Sequence, residues 1–321
     1  MNRAKEMADQ IVRGDRLGVA RAISLVENGS DMSQEILERI YSKTGNGYRI
    51  GVTGPPGAGK STLVNKLARF YRNAGLRVGI LAVDPTSPFT GGALLGDRIR
   101  MTDVELDREV FIRSMASRGS MGGLSKKAKE AADILDASGH EIIMMETVGV
   151  GQSELDIAGA ADTTVVILVP ESGDGIQAMK AGLMEIADFF VLNKSDRPGA
   201  DQAVMSIKMI LGFRSTGNSW TPGVVKTVAS EGTGIQEVVE LVASHRQFLE
   251  QSGGLQRKRK GRLDRKIREL IEEQLQVDFW TRHRQEALQR GLDLVVNRNQ
   301  TPYDVAAKLI SDFRKEVDLH T

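Results

Sequence analysis

Residues 54–61 read Gly54-Pro55-Pro56-Gly57-Ala58-Gly59-Lys60-Ser61, a complete G-x-x-x-x-G-K-S, and Thr62 follows. An apolar run at 49–53 precedes it and a helical pattern at 61–73 follows, the context in which such a motif builds a phosphate loop. Its glycines let successive backbone N–H groups point into a nest around phosphate oxygens. The helix that opens at Lys60 adds the positive end of its dipole. The whole of 54–62 is therefore read as nucleotide-binding. Lys60 is expected to reach the β- and γ-phosphates, and the Ser61 hydroxyl to bind Mg²⁺.

A second set of residues could choose the base. Asn193-Lys194-Ser195-Asp196 follows the apolar run 189–192. This N-K-x-D resembles the guanine-specificity motif of GTPases. Guanine presents a ring N–H beside an exocyclic amino group, and the Asp196 carboxylate can accept from both. Adenine lacks that pair of donors, so a buried carboxylate would discriminate strongly. Asn193 and Lys194 would brace the loop. N-K-S-D alone could be an exposed turn; downstream of a phosphate loop and at a strand end it is far more specific. Ala229-Ser230, in the segment after the last strand, stands where GTPases place a backbone N–H for the guanine carbonyl.

Two carboxylates complete the chemistry. Asp84 closes the run 78–83, and Glu146 closes the run 141–146 and begins Glu146-Thr147-Val148-Gly149. A carboxylate at the C-terminal edge of a parallel sheet faces the ligand crevice, although a strand-end acid can also simply cap a loop. Asp97 is a third candidate near a metal. Gly149 could offer its N–H to a γ-phosphate, or be an ordinary turn glycine. No glutamine follows Gly149 directly to orient an attacking water, so slow intrinsic turnover is expected. Gln152 is the substitute within reach.

These residues need a scaffold that brings them to one edge. From 48 onward, short apolar runs (49–53, 78–83, 110–113, 141–146, 163–169, 189–193 and 224–228) alternate with helical stretches such as 61–73, 124–137 and 236–249. Near-continuous apolar runs suit strands buried on both faces of a parallel sheet, and the alternation predicts a doubly wound α/β domain. Residues 1–47 read as a helical N-terminal extension, 48–250 as the sheet domain and 251–321 as a helical C-terminal arm. The stretch 251–260 has a linker's composition. Beyond it Leu263, Ile267, Leu270, Ile271, Leu275 and Phe279 make one apolar stripe. That stripe needs a partner, either the sheet domain of the same chain or a second copy, and a homodimer is expected. Thr301-Pro302-Tyr303-Asp304 has the residues of a helix start.

Composition narrows the classes. Lys and Arg number 43 against 42 Asp and Glu, a formal charge of +1, which argues against a nucleic-acid binder. Eight basic residues fall within 257–268; a solvated hinge and helix face suits a neutral chain better than an acidic partner. There is no cysteine, and the four histidines are scattered. That excludes disulfides, thiolate metal sites and a cysteine nucleophile. No stretch has the roughly 18 apolar residues of a membrane helix, and the charged N-terminal segment lacks a signal peptide's apolar region. A soluble cytoplasmic protein is expected. Glycine occurs 34 times, against about 7% in ordinary usage, and the surplus gathers in the loops named above.

Six segments, GPPGAGKST (54–62), VDPTSPFTGGALLGDRIRM (83–101), SRGSMGGLS (117–125), ETVGVGQSE (146–154), PESGDGIQAMKAG (170–182) and NKSD (193–196), together resemble the MeaB/ArgK family. These are P-loop GTPases of the SIMIBI type that serve adenosylcobalamin-dependent acyl-CoA mutases. The resemblance covers nearly the whole chain. It implies GTP and GDP as ligands, and Mg²⁺ held by Ser61, Asp84, Asp97 and Glu146. It implies Lys60, Glu146, Gly149 and Lys180 as catalytic residues, and a switch III loop whose polar members are Glu171, Asp174, Gln177 and Lys180. Lys180 could supply positive charge during hydrolysis, or be a solvated lysine. The C-terminal helices would form the dimer arm. The partner would be a mutase of the methylmalonyl-CoA type, together with its adenosyltransferase. The chain would gate loading of the mutase and protect or rescue it, without itself binding cobalamin, a membrane or nucleic acid. A nickel-delivery GTPase would carry cysteine and histidine ligands that are missing here. A signal-recognition-type GTPase would show D-T-x-G and T-K-x-D. Relatives have also been labelled kinases of amino-acid transport systems; N-K-S-D points to GTP, and no phosphoacceptor site supports that label.

Overall fold

A computed structural model describes residues 3–84, 104, 106–116, 126–147, 153–170, 182–212 and 220–318. Asp97, Gly149, Gln152, Glu171, Asp174, Gln177 and Lys180 lie outside these residues, as does the side chain of Asp84.

Each of the seven apolar runs forms a strand: β1 (Tyr48–Thr53), β2 (Val78–Asp84), β3 (Val110–Ala116), β4 (Ile142–Thr147), β5 (Thr163–Leu168), β6 (Phe189–Leu192) and β7 (Val224–Lys226). They make one sheet in the order β3-β2-β4-β1-β5-β6-β7, with every pairing parallel. Every residue of β1, β4, β5 and β6 is buried. That two-sided burial is why these strands read as unbroken apolar runs rather than as alternation. Central β1 has β4 on one side and β5 on the other, so the chain leaves it in both directions. The crevice beyond its C-terminal end is where such a sheet binds ligands.

The sheet has two apolar faces. On one, α4 (Lys60–Asn73) buries Leu63, Val64 and Leu67 with Ile50, Val52, Ile80 and Met144 of the strands. On the other, α5 (Lys126–Ala137) presents Ala128, Ala131 and Ala132, whose small side chains allow close approach. The N-terminal helices α1 (Arg3–Val12), α2 (Arg16–Glu27) and α3 (Asp31–Ile40) join that second core through Ile11, Ile23, Ile36 and Ile40. The Gly45-Asn46-Gly47 break is held by the Asp136 carboxylate of α5. It accepts the backbone N–H groups of Gly45 (2.8 Å), Asn46 (3.1 Å) and Gly47 (2.8 Å). Arg49, entering β1, pairs with Asp133 at 2.7 Å. A turn that composition marks only as flexible is thus fixed by one buried acid.

The loop after α5 holds a buried histidine. His140 Nδ1 lies 2.9 Å from Ser138 Oγ and 3.0 Å from the Leu135 carbonyl. Burial pushes its pKa down to about 4. The folded form therefore binds fewer protons than the unfolded chain between the unfolded value near 6.5 and about 4. Stability rises with pH through that window. On acidification from pH 6.5 to 4, urea-unfolding free energy should lose about 3 kcal/mol through this one group. A His140→Gln variant should show a flatter profile over the same range, and an unchanged slope would assign the loss to other residues.

After α6 (Ser153–Ala160), α7 (Leu183–Ile186) and α8 (Ala200–Gly212), helix α9 (Ile235–Gln251) closes the sheet domain. The expected linker at 251–260 is not one. Only Ser252 and Gly253 interrupt the helices, with Gly253 at φ +67°, and α10 (Gly254–Phe279) begins at once. The Arg-Lys-Arg-Lys run consists of good helix formers. Its Lys258 is anchored, donating to the Asp188 carboxylate at 3.0 Å and to the Asp162 carbonyl at 3.0 Å.

The described chain divides into two compact units, 1–258 and 259–321. The second holds the rest of α10 with α11 (Arg282–Val296) and α12 (Pro302–Asp318). The expected helix start at Thr301 is present: Asp304 N–H donates to Thr301 Oγ1 at 3.2 Å, and Thr301 N–H to the Asp304 carboxylate at 3.0 Å. Buried Arg284 lies over the rings of both Phe279 and Phe313, which meet edge-on. Leu263, Ile267, Leu270, Ile271 and Leu275 of α10 are each at least 40% exposed among the described residues, whereas Phe279, expected on the same stripe, packs edge-on against Phe313.

Candidate nucleotide site

The phosphate loop lies between β1 and α4, at the crevice. Two of its glycines are dictated by space. Gly54 has φ +139°, and a Cβ there would lie 2.1 Å from the Ile167 carbonyl oxygen of β5. Gly59, the residue before α4, has φ +88°, and its Cβ would fall 2.3 Å from Asn193 Nδ2. Side chains rarely adopt such backbone angles, which cost of order 1–3 kcal/mol. Gly59→Ala should therefore lower unfolding free energy by about 2 kcal/mol or more by denaturant titration, and should weaken nucleotide affinity by moving Asn193. A variant with wild-type stability and affinity would show that the loop tolerates the change.

Lys60 opens α4 and is only 6% exposed. Its ammonium donates to the carbonyls of Gly54 (2.8 Å) and Pro55 (3.0 Å), so the side chain arches back over its own loop. Ser61, one residue on, donates its hydroxyl to Glu146 Oε1 at 2.6 Å. Both are buried. Ser61 and Glu146 are 85 residues apart in sequence and meet because β4 lies beside β1. Asp84 ends β2, on the other side of β4, where Ala82 pairs with Glu146. These three expected metal residues thus sit on adjacent elements at one edge, with contact shown for Ser61 and Glu146. Among the described residues no group of three or more histidines, cysteines or acids is placed to hold a metal ion. An alcohol beside a carboxylate fits Mg²⁺, which takes few protein oxygens and fills its octahedron with water and phosphate oxygens.

Asn193 is the centre of the base-reading segment. Its Nδ2 donates to the Ala58 carbonyl of the phosphate loop at 2.8 Å. Its Oδ1 accepts from Thr227 Oγ1 and from the Ala229 N–H, both at 3.0 Å. Its own N–H donates to Leu168 at the end of β5 at 2.8 Å. One side chain therefore ties together three segments that lie far apart in sequence. Lys194 holds a left-handed backbone at φ +55°, and the turn closes with Ser195 N–H on the Thr227 carbonyl at 3.0 Å. Asp196 stands exposed on that turn. The Ala229 N–H is directed at Asn193, and Ser230 follows it on the same turn. Thr227, fully buried, was not singled out in the sequence. Its only signal is its place directly before Val228-Ala229-Ser230.

Residues 19–284 match the family model described as "Methylmalonyl Co-A mutase-associated GTPase MeaB". A protein of Pyrococcus abyssi named as a GTPase is 51% identical over 269 residues, covering 83% of each chain. The mouse protein named "Methylmalonic aciduria type A homolog, mitochondrial" is 34% identical over 292 residues, covering 84% of this chain and 70% of its own. A solved structure described as a LAO/AO transport system kinase superposes with a TM-score of 0.73 at 29% identity, covering 98% of this chain and 99% of that one.

Proposed function

We propose that this chain, which belongs to the MeaB family of GTPases, uses its GTP cycle to gate and protect an adenosylcobalamin-dependent acyl-CoA mutase of the methylmalonyl type. One observation carries the site reading: Asn193 ties the base-reading turn to the same phosphate loop that sets Ser61 against Glu146. The loop amides of 54–62 and the Lys60 ammonium hold the β- and γ-phosphates. Asp196 accepts from guanine, and the Ser230 backbone N–H meets its carbonyl, because that of Ala229 is taken by Asn193. Ser61 and Glu146, with Asp84 and Asp97, hold Mg²⁺. When bound, that ion neutralises charge on the β- and γ-phosphates. The chain's own contribution is to place the phosphates and the attacking water, with Gly149 donating to the γ-phosphate and Lys180 adding positive charge.

The family's description supports the mutase as partner; its adenosyltransferase would be a further one. Residues 171–182 would sense the partner's state through Glu171, Asp174 and Gln177. The helical stretch 251–321 would be the dimerisation arm, its exposed stripe on α10 covered by a second copy. The partner reading is tested by pull-down with a methylmalonyl-CoA mutase in the presence of GDP, GTP or a non-hydrolysable GTP analogue. Binding that differs between nucleotide states is expected. No binding in any state would refute the mutase role and leave the GTPase assignment standing.

A further inference from the structure

β1 and β4 end side by side, and each ends on a threonine. Their backbone ladder runs from Tyr48 opposite Ile142 to Val52 opposite Glu146. One residue further on, Thr147 Oγ1 donates to Thr53 Oγ1 at 2.9 Å. Both threonines have no exposed surface. Thr53 directly precedes Gly54 of the phosphate loop, and Thr147 directly follows Glu146. Side chains alternate across a sheet. Glu146 shares the face of Ile142 and Met144, which is the α4 face; Thr147 shares the face of Ile143 and Met145, which is the α5 face. The hydroxyl pair thus lies on the sheet face opposite Glu146.

Stability alone does not call for these hydroxyls. Valine has the same shape and is equally at home in a strand. Replacing both partners of a buried hydrogen bond by apolar groups of equal shape is close to neutral. We propose that Thr53 and Thr147 are positioning residues, a strut that fixes the end of β4 to the end of β1 where the backbone ladder stops. The strut keeps Glu146 in register with Ser61, so that the phosphate loop and Glu146 meet Mg²⁺ as one rigid unit. This rests on the reading of Ser61 and Glu146 as cation-binding.

The test uses the full chain and four variants: Thr147→Val, Thr53→Val, the double valine variant and Thr147→Ser. The first readout is release of a fluorescent GDP analogue as Mg²⁺ is titrated; the second is kcat and KM for GTP. Supporting-shell changes commonly cost 10–100-fold in metal affinity. Thr147→Val should therefore raise the half-effective Mg²⁺ concentration about tenfold and lower kcat by a similar factor. GDP-analogue affinity in EDTA should stay at the wild-type value. Thr53→Val should match it, the double variant should be no worse than either single one, and Thr147→Ser should restore the wild-type response. If Thr147→Val does not fold, Thr53→Val and the double variant carry the test. A wild-type Mg²⁺ response in the valine variants, or effects that multiply in the double one, would overturn the strut. Glu146→Gln separates the two readings. If it abolishes the Mg²⁺ response while the valine variants keep it, only the strut fails; if it leaves the response intact, the cation reading fails and takes the strut with it.

Discussion

Replacing Lys60 by alanine is expected to lower GTP turnover by about 10²–10³-fold, the loss typical for removal of one preorganised charge-stabilising donor. Lys60 is the first residue of α4, and its side chain is buried against the loop it belongs to. Its ammonium already has two carbonyl acceptors, Gly54 and Pro55, so it is held at the loop rather than free in solvent. Phosphoryl transfer offers little covalent chemistry for a protein to perform, and catalysis comes from positioning and from neutralising charge as it develops on the transferred group. Loss of a nearly buried ammonium removes that neutralisation without opening the sheet, since α4 keeps Leu63, Val64 and Leu67 in the core. Arginine is not a conservative substitute, because its planar fork is larger and distributes its charge differently. Steady-state kinetics on Lys60→Ala and Lys60→Arg check this. Wild-type turnover in the alanine variant would remove 54–61 as the catalytic phosphate loop.

The second large effect concerns the choice of base. Asp196→Ala should cut the preference for GTP over ATP by about 10²-fold or more. Hydrogen bonds to a charged group contribute about 1.5–3 kcal/mol each, and each 1.4 kcal/mol is tenfold. Asp196 is exposed on its turn rather than buried. Two such bonds are therefore counted near the lower end of that range. The turn itself should survive, because it is held by Asn193 and by the Ser195 N–H on the Thr227 carbonyl, not by Asp196. Competition of GTP and ATP for the same fluorescent nucleotide measures the ratio. Unchanged selectivity with intact affinity would move base reading to another residue. Asn193→Ala should behave differently: by releasing Ala58, Thr227 and Ala229 at once, it should weaken all nucleotides rather than change their order.

Much of this was legible in the chain. Each of the seven runs read as a strand forms one, because strands covered on both faces must be apolar along their whole length. The phosphate loop and N-K-S-D were legible because their chemistry restricts residue types within a few positions. The start of α12 was legible because Thr301, Pro302 and Asp304 act on their own turn. The stretch 251–260 misled because its glycines and charges have a linker's composition. It is helical apart from the turn at Ser252 and Gly253, and Lys258 finds Asp188 and Asp162.

What the sequence determined by itself was therefore local: which residue types could cradle a phosphate, read a base or hold a cation, and which segments would be strands or helices. Strand order was decided only by the tertiary structure, because seven similar apolar runs carry no label for their neighbours. Placing β4 beside β1 brings Glu146 to Ser61 and Thr147 to Thr53. Placing β5 and β6 on the other side brings Asn193 to Ala58. Hydrogen bonds of 2.6–2.9 Å between residues 85 to 135 apart in sequence depend on how whole strands and helices pack, and no local pattern specifies that.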